Sequence, residues 1–171
     1  MDTEAFEQAF IRWVKEAARI TQGEVVSIDG KSLRGTREGT QSKRAVHIVS
    51  ARANSNRLSL GQVKVDEKSN GITAIPKLLE ILALQGCIVT IDATGCQKEI
   101  ASKIVSRGAD YILAVKGNQG NLEADMERTV RFCRPAEEWV EEDFGHGRIE
   151  SRKCSLYRDI SFIEPPLNGN I

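Results

Sequence analysis

Apolar residues recur in this chain with two periods, and the switch between them sets out the elements. From Asp2 to Ile20, Phe6, Phe10, Trp13, Val14, Ala17 and Ile20 fall at helical spacing, which predicts an amphipathic helix started by Asp2 or Thr3 and ended at Gln22-Gly23. Three short β-rich runs follow: Val25 to Asp29, Ala45 to Ser50, and Leu58 to Val65 with its apolar residues in alternation. The polar, Gly-rich stretch from Gly35 to Ser42 can join the first two as a long-looped hairpin, so antiparallel pairing of all three is the economical topology.

The helical period then returns. Lys68 to Gly71 reads as a turn into a helix bearing Ile75, Leu78, Leu79 and Leu82, with Pro76 in its first turn and Gly86 as its stop. Cys87 to Asp92 is almost wholly apolar, as a strand covered on both faces would be. Thr94 to Gln97 has capping-box spacing and starts a helix with Ile100, Ala101, Ile104 and Val105 that stops at Gly108. Tyr111 to Val115 reads as a second buried strand, and a helix capped by Asn121 runs from Leu122 to about Cys133. Beyond Arg134 only short strands are suggested, around Trp139-Val140, Ile149 and Cys154 to Tyr157.

The resulting order, β-β-β-α-β-α-β-α, is that of an RNase H-like α/β fold: a mixed sheet of three antiparallel strands, then parallel strands, with flanking helices. A plain doubly wound fold would alternate strand and helix from the start. Three regions are expected: 1–23 as a helix leading into the core, 24–134 as the core, and 135–171 as the start of an insertion or strand region.

Length and composition add bounds. The 171 residues suffice for a real core, and 40% hydrophobic with 28% charged content is ordinary for a globular domain. The four cysteines form no C-x-x-C pair and only two histidines accompany them, so they read as reduced small hydrophobes of a cytosolic protein. No apolar run approaches the roughly 20 residues that span a bilayer, and the acidic start is unlike a signal peptide, so a cytoplasmic protein without membrane partners is expected. Formal net charge is zero, but between Gly30 and Leu60 seven basic residues, Lys31, Arg34, Arg37, Lys43, Arg44, Arg52 and Arg57, face one acid, Glu38. That excess suits phosphate binding as well as it suits a solvated basic face.

Two acids stand at the ends of apolar strands, Asp29 before Gly30-Lys31 and Asp92 before Ala93-Thr94-Gly95. A carboxylate in such a place needs a compensating cation or hydrogen bonds, and two side by side repel. Mg²⁺, hard and oxygen-seeking, is held by one or two carboxylates plus substrate phosphate, and such ions serve in-line phosphoryl transfer. The same residues also fit a blander reading, with Asp29-Gly30 as a hairpin turn and Asp92 as the start of a loop. Lys116-Gly117-Asn118-Gln119-Gly120 follows the last clear strand, where it is either a simple turn or a phosphate contact; no P-loop or G-x-G-x-x-G spacing occurs. Arg148, Glu150 and Arg152 share one face of a predicted strand, as an ion-pair ladder or as contacts to a DNA backbone.

Five ordered segments carry a resemblance: Val-Val-Ser-Ile-Asp-Gly-Lys-Ser-Leu-Arg-Gly (25–35), Asp-Glu-Lys-Ser-Asn-Gly-Ile-Thr-Ala-Ile-Pro (66–76), Ile-Val-Thr-Ile-Asp-Ala-Thr-Gly-Cys-Gln (88–97), Asp-Tyr-Ile-Leu-Ala-Val-Lys-Gly-Asn-Gln (110–119) and His-Gly-Arg-Ile-Glu-Ser-Arg (146–152). Together they resemble the insertion-sequence DDE transposases of the H-repeat-associated group, over nearly the whole chain. The resemblance implies Mg²⁺- or Mn²⁺-dependent DNA strand cleavage and transfer, with Asp29 and Asp92 as the first and second catalytic, metal-binding aspartates. It implies DNA, as transposon ends and target, for a partner, and leaves room for a homo-oligomer. Lys31, Arg34, Arg37, Lys43, Arg44, Lys116, Asn118 and Arg148 are the candidate nucleic-acid contacts.

The chain departs from the family's pattern in several places. The family's third carboxylate is a glutamate on a later helix, which this sequence does not contain, and the region before the first helix is missing too. Glu150 is the remaining in-chain candidate, and its place between two arginines argues for ion pairing instead. Gly71 stands where Glu is expected and Thr94 where Met is expected. The expectation is therefore a transposase core fragment with impaired cleavage. A non-catalytic DNA-binding or oligomerising remnant is the alternative, and a small-molecule-binding α/β domain using the Lys116 loop is a third reading that the basic excess disfavours.

Overall fold

The computed structural model describes residues 5–6, 9–10, 12–13, 21–33, 46–55, 57–65, 71–145 and 147–163. Strands β1 (Val25–Leu33), β2 (Val46–Ala53) and β3 (Ser59–Val65) come first. Helix α1 (Gly71–Ile81), strand β4 (Ile88–Ile91), helix α2 (Lys98–Ser106), strand β5 (Asp110–Leu113) and helix α3 (Gly120–Phe132) follow, and then strands β6 (Glu137–Gly145) and β7 (Arg148–Leu156). Where residues 2–20 predict a helix, the described positions 5–6, 9–10 and 12–13 are helical. No helix among the described residues is long and apolar enough to cross a membrane.

The chain divides into two compact units, 1–115 and 116–171. In the first, five strands form one mixed sheet in the order β3-β2-β1-β4-β5, with β1–β2 and β2–β3 antiparallel and β1–β4 and β4–β5 parallel. That is the RNase H-like arrangement expected from the element order. Alternation turns Val26, Ile28, Val49, Ala51, Val89 and Ile91 into a single core with Leu78, Leu79, Ile100 and Ile104 from α1 and α2. Helix α1 lies across Gly61 of β3, where an added Cβ would come within 3.4–3.5 Å of Leu82, Ile81 and Leu78. The second unit carries α3 and a long exposed hairpin in which β6 pairs β7 antiparallel from Glu137↔Leu156 to Gly145↔Arg148.

Several local expectations need correction. Helix α1 starts at Gly71, so Pro76 lies past the first turn and lacks the N–H that would reach the Ile72 carbonyl. The same helix ends at Ile81, well before Gly86, which instead sits in a turn at φ +71° and donates its N–H to the Gly108 carbonyl. The capping box at Thr94–Gln97 does not form. Asp92 caps a short 3₁₀ turn, Ala93–Gly95, and Gln97 precedes α2 without a side-chain cap. Helix α3 begins at Gly120 with Gln119 at its cap position, so Asn121 lies inside it. Strand β5 is not buried on both faces: it is one of the sheet's two edge strands, and Ile112 is 62% exposed.

Glu24 ties β1 to the β2–β3 turn. Its carboxylate accepts from the Ser55 N–H at 3.0 Å and from the Ser55 hydroxyl, and its residue is buried. The Ser55 hydroxyl first, then the Ser55 N–H, hold the Glu24 carboxyl below the usual carboxylate range against the opposing effect of burial. A depressed folded-state value means that this stabilisation is present above the unfolded carboxyl value, about 4.3, and is lost as pH falls through the folded one. Glu24→Gln should lose on the order of 1–3 kcal/mol near neutral pH. Its unfolding free energy should also fall less steeply below about pH 4.5 than that of the wild type; parallel acid limbs in urea melts would contradict the assignment.

Candidate active site

The two apolar strands that end in aspartate carry nearly the same tetrapeptide, Val26-Ser27-Ile28-Asp29 in β1 and Val89-Thr90-Ile91-Asp92 at β4. The parallel register sets them side by side: Val26↔Val89, Ser27↔Thr90, Ile28↔Ile91. Their valines and isoleucines face the core, and their hydroxyl residues share the opposite face, where Thr90 Oγ1 donates to Ser27 Oγ at 3.1 Å. Ser27 Oγ in turn donates to Asn54 Oδ1 at 3.1 Å. Asp29 and Asp92 each follow the last pair of this register, Ile28↔Ile91, by one residue, at the point where the two strands part. Strand β1 runs on through Asp29-Gly30 to Leu33, which rules out a hairpin turn there.

Each carboxylate is held differently. Asp92 has extended backbone (φ −67°, ψ 178°); its Oδ1 accepts from the Thr94 N–H at 3.1 Å and its Oδ2 from the Thr94 hydroxyl at 3.4 Å. Asp29 is paired with Lys31, whose Nζ lies 3.4 Å from Oδ2, with both side chains largely exposed. An exposed pair of this kind contributes little to stability. Ser50, opposite Asp29 on β2, reaches the Asp29 carbonyl at 3.5 Å. Asp92 and Thr94 also rim a cleft of about 330 Å³ floored by Ile28, Val49, Val65, Ile75 and Ile91, with Lys31 and His47 on its wall. Below the Asp92 turn, Gly95 is buried against Ile91 and Ile75, and burial pushes the Cys96 thiol up, so that this cysteine is an inert core group. None of the four cysteines is in a disulfide.

Both aspartates are exposed and offer hard oxygen donors, which suits a divalent cation completed by water or phosphate. Among the described residues no cluster of three or more His, Cys, Asp or Glu side chains is placed to hold a metal.

The remaining candidates spread along the chain. Lys31 is two residues beyond Asp29 on β1. The register adds Arg52, opposite Ser27, and Lys64, opposite Ile48, as basic side chains of the same sheet face. Arg34, Arg37, Lys43 and Arg44 lie outside the described residues. Strand β5 runs parallel to β4; in the second unit Lys116 stands at the N-cap position of the 3₁₀ turn Gly117–Gln119, which contains Asn118, without a side-chain cap. Arg148 is exposed on β7 opposite Gly145. Glu150 accepts from Arg152 at 2.9 Å, the ion pair that the spacing of those residues suggests. Sequence reasoning overlooked Ser27, Thr90, Asn54 and Ser50. The signal available was the repeated Val-(Ser/Thr)-Ile-Asp pattern, with one hydroxyl two residues before each acid.

Known proteins resemble this chain over most of its length. The model of the transposase DDE domain family matches residues 20–158. The "putative transposase YncI" of Escherichia coli K12 is 48% identical over 156 residues, covering 89% of this chain and 63% of its own length. The "H repeat-associated putative transposase YbfD" of the same strain is 40% identical over 151 residues, covering 86% of this chain and 60% of its own. An Xanthobacter autotrophicus protein named for the dhlA 3′ region is 41% identical over 95% of this chain and 56% of its own. The chain thus spans about three fifths of the length of these relatives. A piggyBac transposase synaptic complex with hairpin DNA, solved by cryo-EM, is 12% identical and covers 83% of this chain and 35% of its own, at a TM-score of 0.45 that is too low to bear on the assignment. With the family model matched across most of its length, the chain belongs to the transposase DDE domain family.

Proposed function

We propose that this chain is the catalytic-core region of an insertion-sequence transposase, acting on DNA through a divalent ion, Mg²⁺ or Mn²⁺, held by Asp29 and Asp92. The register of β1 with β4 supports the reading, because its last pair, Ile28↔Ile91, directly precedes two acids sixty-three positions apart in the chain. A bound divalent ion supplies Lewis-acid stabilisation of the phosphoryl oxygens in strand cleavage and transfer. The chain's own part is to place two carboxylates at one strand edge and keep them open to substrate phosphate. Lys31, paired with Asp29, neutralises one acid and is within reach of an arriving phosphate. Arg34, Arg37, Lys43, Arg44, Lys116, Asn118 and Arg148 are the further DNA contacts of this reading, and transposon ends and target DNA are its substrates.

Two carboxylates leave an ion's position less defined than three, and phosphoryl transfer tolerates misplacement badly, with about 100-fold lost per ångström. The chain by itself therefore binds DNA well and nicks it poorly. Its binding rests on Lys and Arg contacts to phosphate, so log affinity should fall with log salt at a slope of about −0.9 per contact on duplex DNA. The test is a DNA titration at several salt concentrations, run beside a Mn²⁺ nicking assay of wild type and Asp92→Ala. A flat salt response would remove the DNA half of the proposal. Nicking unchanged in Asp92→Ala would remove the metal half. Salt-sensitive binding indifferent to Asp92 and to metal would instead favour a non-catalytic DNA-binding remnant. Robust nicking abolished by Asp92→Ala would show that a third acid from within the chain, Glu150 first, serves after all.

A further inference from the structure

We infer that Thr94 is a positioning residue for the metal site, fixing the plane of the Asp92 carboxylate by taking one contact on each of its oxygens. The inference rests on the metal-pair reading of Asp29 and Asp92. The Thr94 N–H reaches Oδ1 at 3.1 Å and the Thr94 hydroxyl reaches Oδ2 at 3.4 Å. A single contact would leave the carboxylate free to swing about its Cβ–Cγ bond, since terminal torsions of this kind are broad. Two donors on two oxygens remove that freedom, and each oxygen keeps a lone pair for a cation. Among the described residues Asp29 has no such tether, its side-chain partner there being the exposed Lys31 ammonium at 3.4 Å. The pair is thus asymmetric: Asp92 is the preset ligand and Asp29 the adjustable one.

Donors behind a metal ligand commonly set affinity by 10–100-fold. The hydroxyl is the part of the tether a side chain can remove, because the backbone N–H stays in any variant that keeps the turn. Thr94→Val preserves shape and β-branching but loses the hydroxyl donor. Thr94→Ser keeps the hydroxyl and loses only a methyl group.

The experiment is a Mn²⁺ titration of the full chain, read by calorimetry, for wild type, Thr94→Val and Thr94→Ser, with thermal melts of each in chelator. Thr94→Val is expected to bind Mn²⁺ about tenfold more weakly, with Thr94→Ser near wild type and the melts in chelator alike. Equal affinity in Thr94→Val and wild type would overturn the proposal. So would a Thr94→Ser variant as weak as Thr94→Val, since the methyl group and not the hydroxyl would then matter. A wild type that takes up no Mn²⁺ would sink the metal-pair reading itself, and this inference with it.

Discussion

Gly95→Ala is expected to be the most crowded alanine substitution among the described glycines, lowering stability by about 1–3 kcal/mol and disturbing Asp92 as well. A Cβ built on Gly95 would collide with Cγ2 of Ile91 and stand 3.1 Å from its Cβ and 3.3 Å from Cδ1 of Ile75. Neither neighbour can retreat easily. Ile91 is a buried residue of β4, paired with Ile28 of β1 directly before the two aspartates, and Ile75 is buried on α1. The turn Ala93–Gly95 would have to lift, and with it the Thr94 donors that hold Asp92. Urea melts should show the lost stability, and Mn²⁺ affinity should fall in the same variant. Gly120, at the start of α3 with no atom within 4 Å of an added Cβ, is the matched control in which alanine should be tolerated. Equal melting of Gly95→Ala and wild type would show that the close packing under the Asp92 turn has been misjudged.

Leu78→Ala should lower stability further, by about 2–5 kcal/mol. Leu78 is fully buried on α1, its Cδ1 3.5 Å from the Cβ position of Gly61 on β3. The cavity would open where α1 crosses Gly61 of β3, two strands away from β1 in the sheet, so Mn²⁺ affinity per folded molecule should stay near wild type. Calorimetric melts measure the first expectation, and a metal titration below the melting range measures the second. A loss under 1 kcal/mol would mean that α1 can settle into the gap.

Much of this architecture is legible in the pattern of residues. Period two gives way to period 3.6 at Gly71 and again after Asp92, and three β-rich runs before the first such switch already imply an antiparallel meander. What the pattern leaves open is where each element stops. Gly86 and Gly108 both look like helix stops, yet Gly86 works in a turn beyond the end of α1, because a left-handed residue serves any tight turn and not only a helix cap. Thr94 looks like a helix cap because its spacing to Gln97 fits, while the structure gives the capping role to the acid before it. Asp92 competes better, since its charged oxygens accept from the Thr94 N–H. The apolar run Tyr111 to Val115 suggests burial, and it is the sheet order that leaves this strand at an edge. The β6–β7 hairpin is legible only in pieces: short strands are suggested around Trp139-Val140, Ile149 and Cys154, but on exposed strands no apolar alternation marks their full length.

The candidate site was readable in part. Two acids ending apolar strands are visible at once, but strand order alone makes them neighbours. The Val-(Ser/Thr)-Ile-Asp repeat hints at that pairing, since equivalent residues on parallel neighbours meet row by row. The asymmetric tethering of the two carboxylates needed atomic contacts, because nothing in spacing distinguishes a Thr that caps from one that merely follows.

The most direct measurement is a calorimetric Mn²⁺ titration of wild type, Asp29→Asn, Asp92→Asn and the double variant. Asparagine keeps the side chain's shape and removes the charge that holds the ion. If the two aspartates share one ion, wild type binds Mn²⁺ saturably, each single variant loses at least about tenfold in affinity, and the double variant is little worse than either single one, because the site is already broken. Unchanged Mn²⁺ binding in both single variants would contradict the shared metal site.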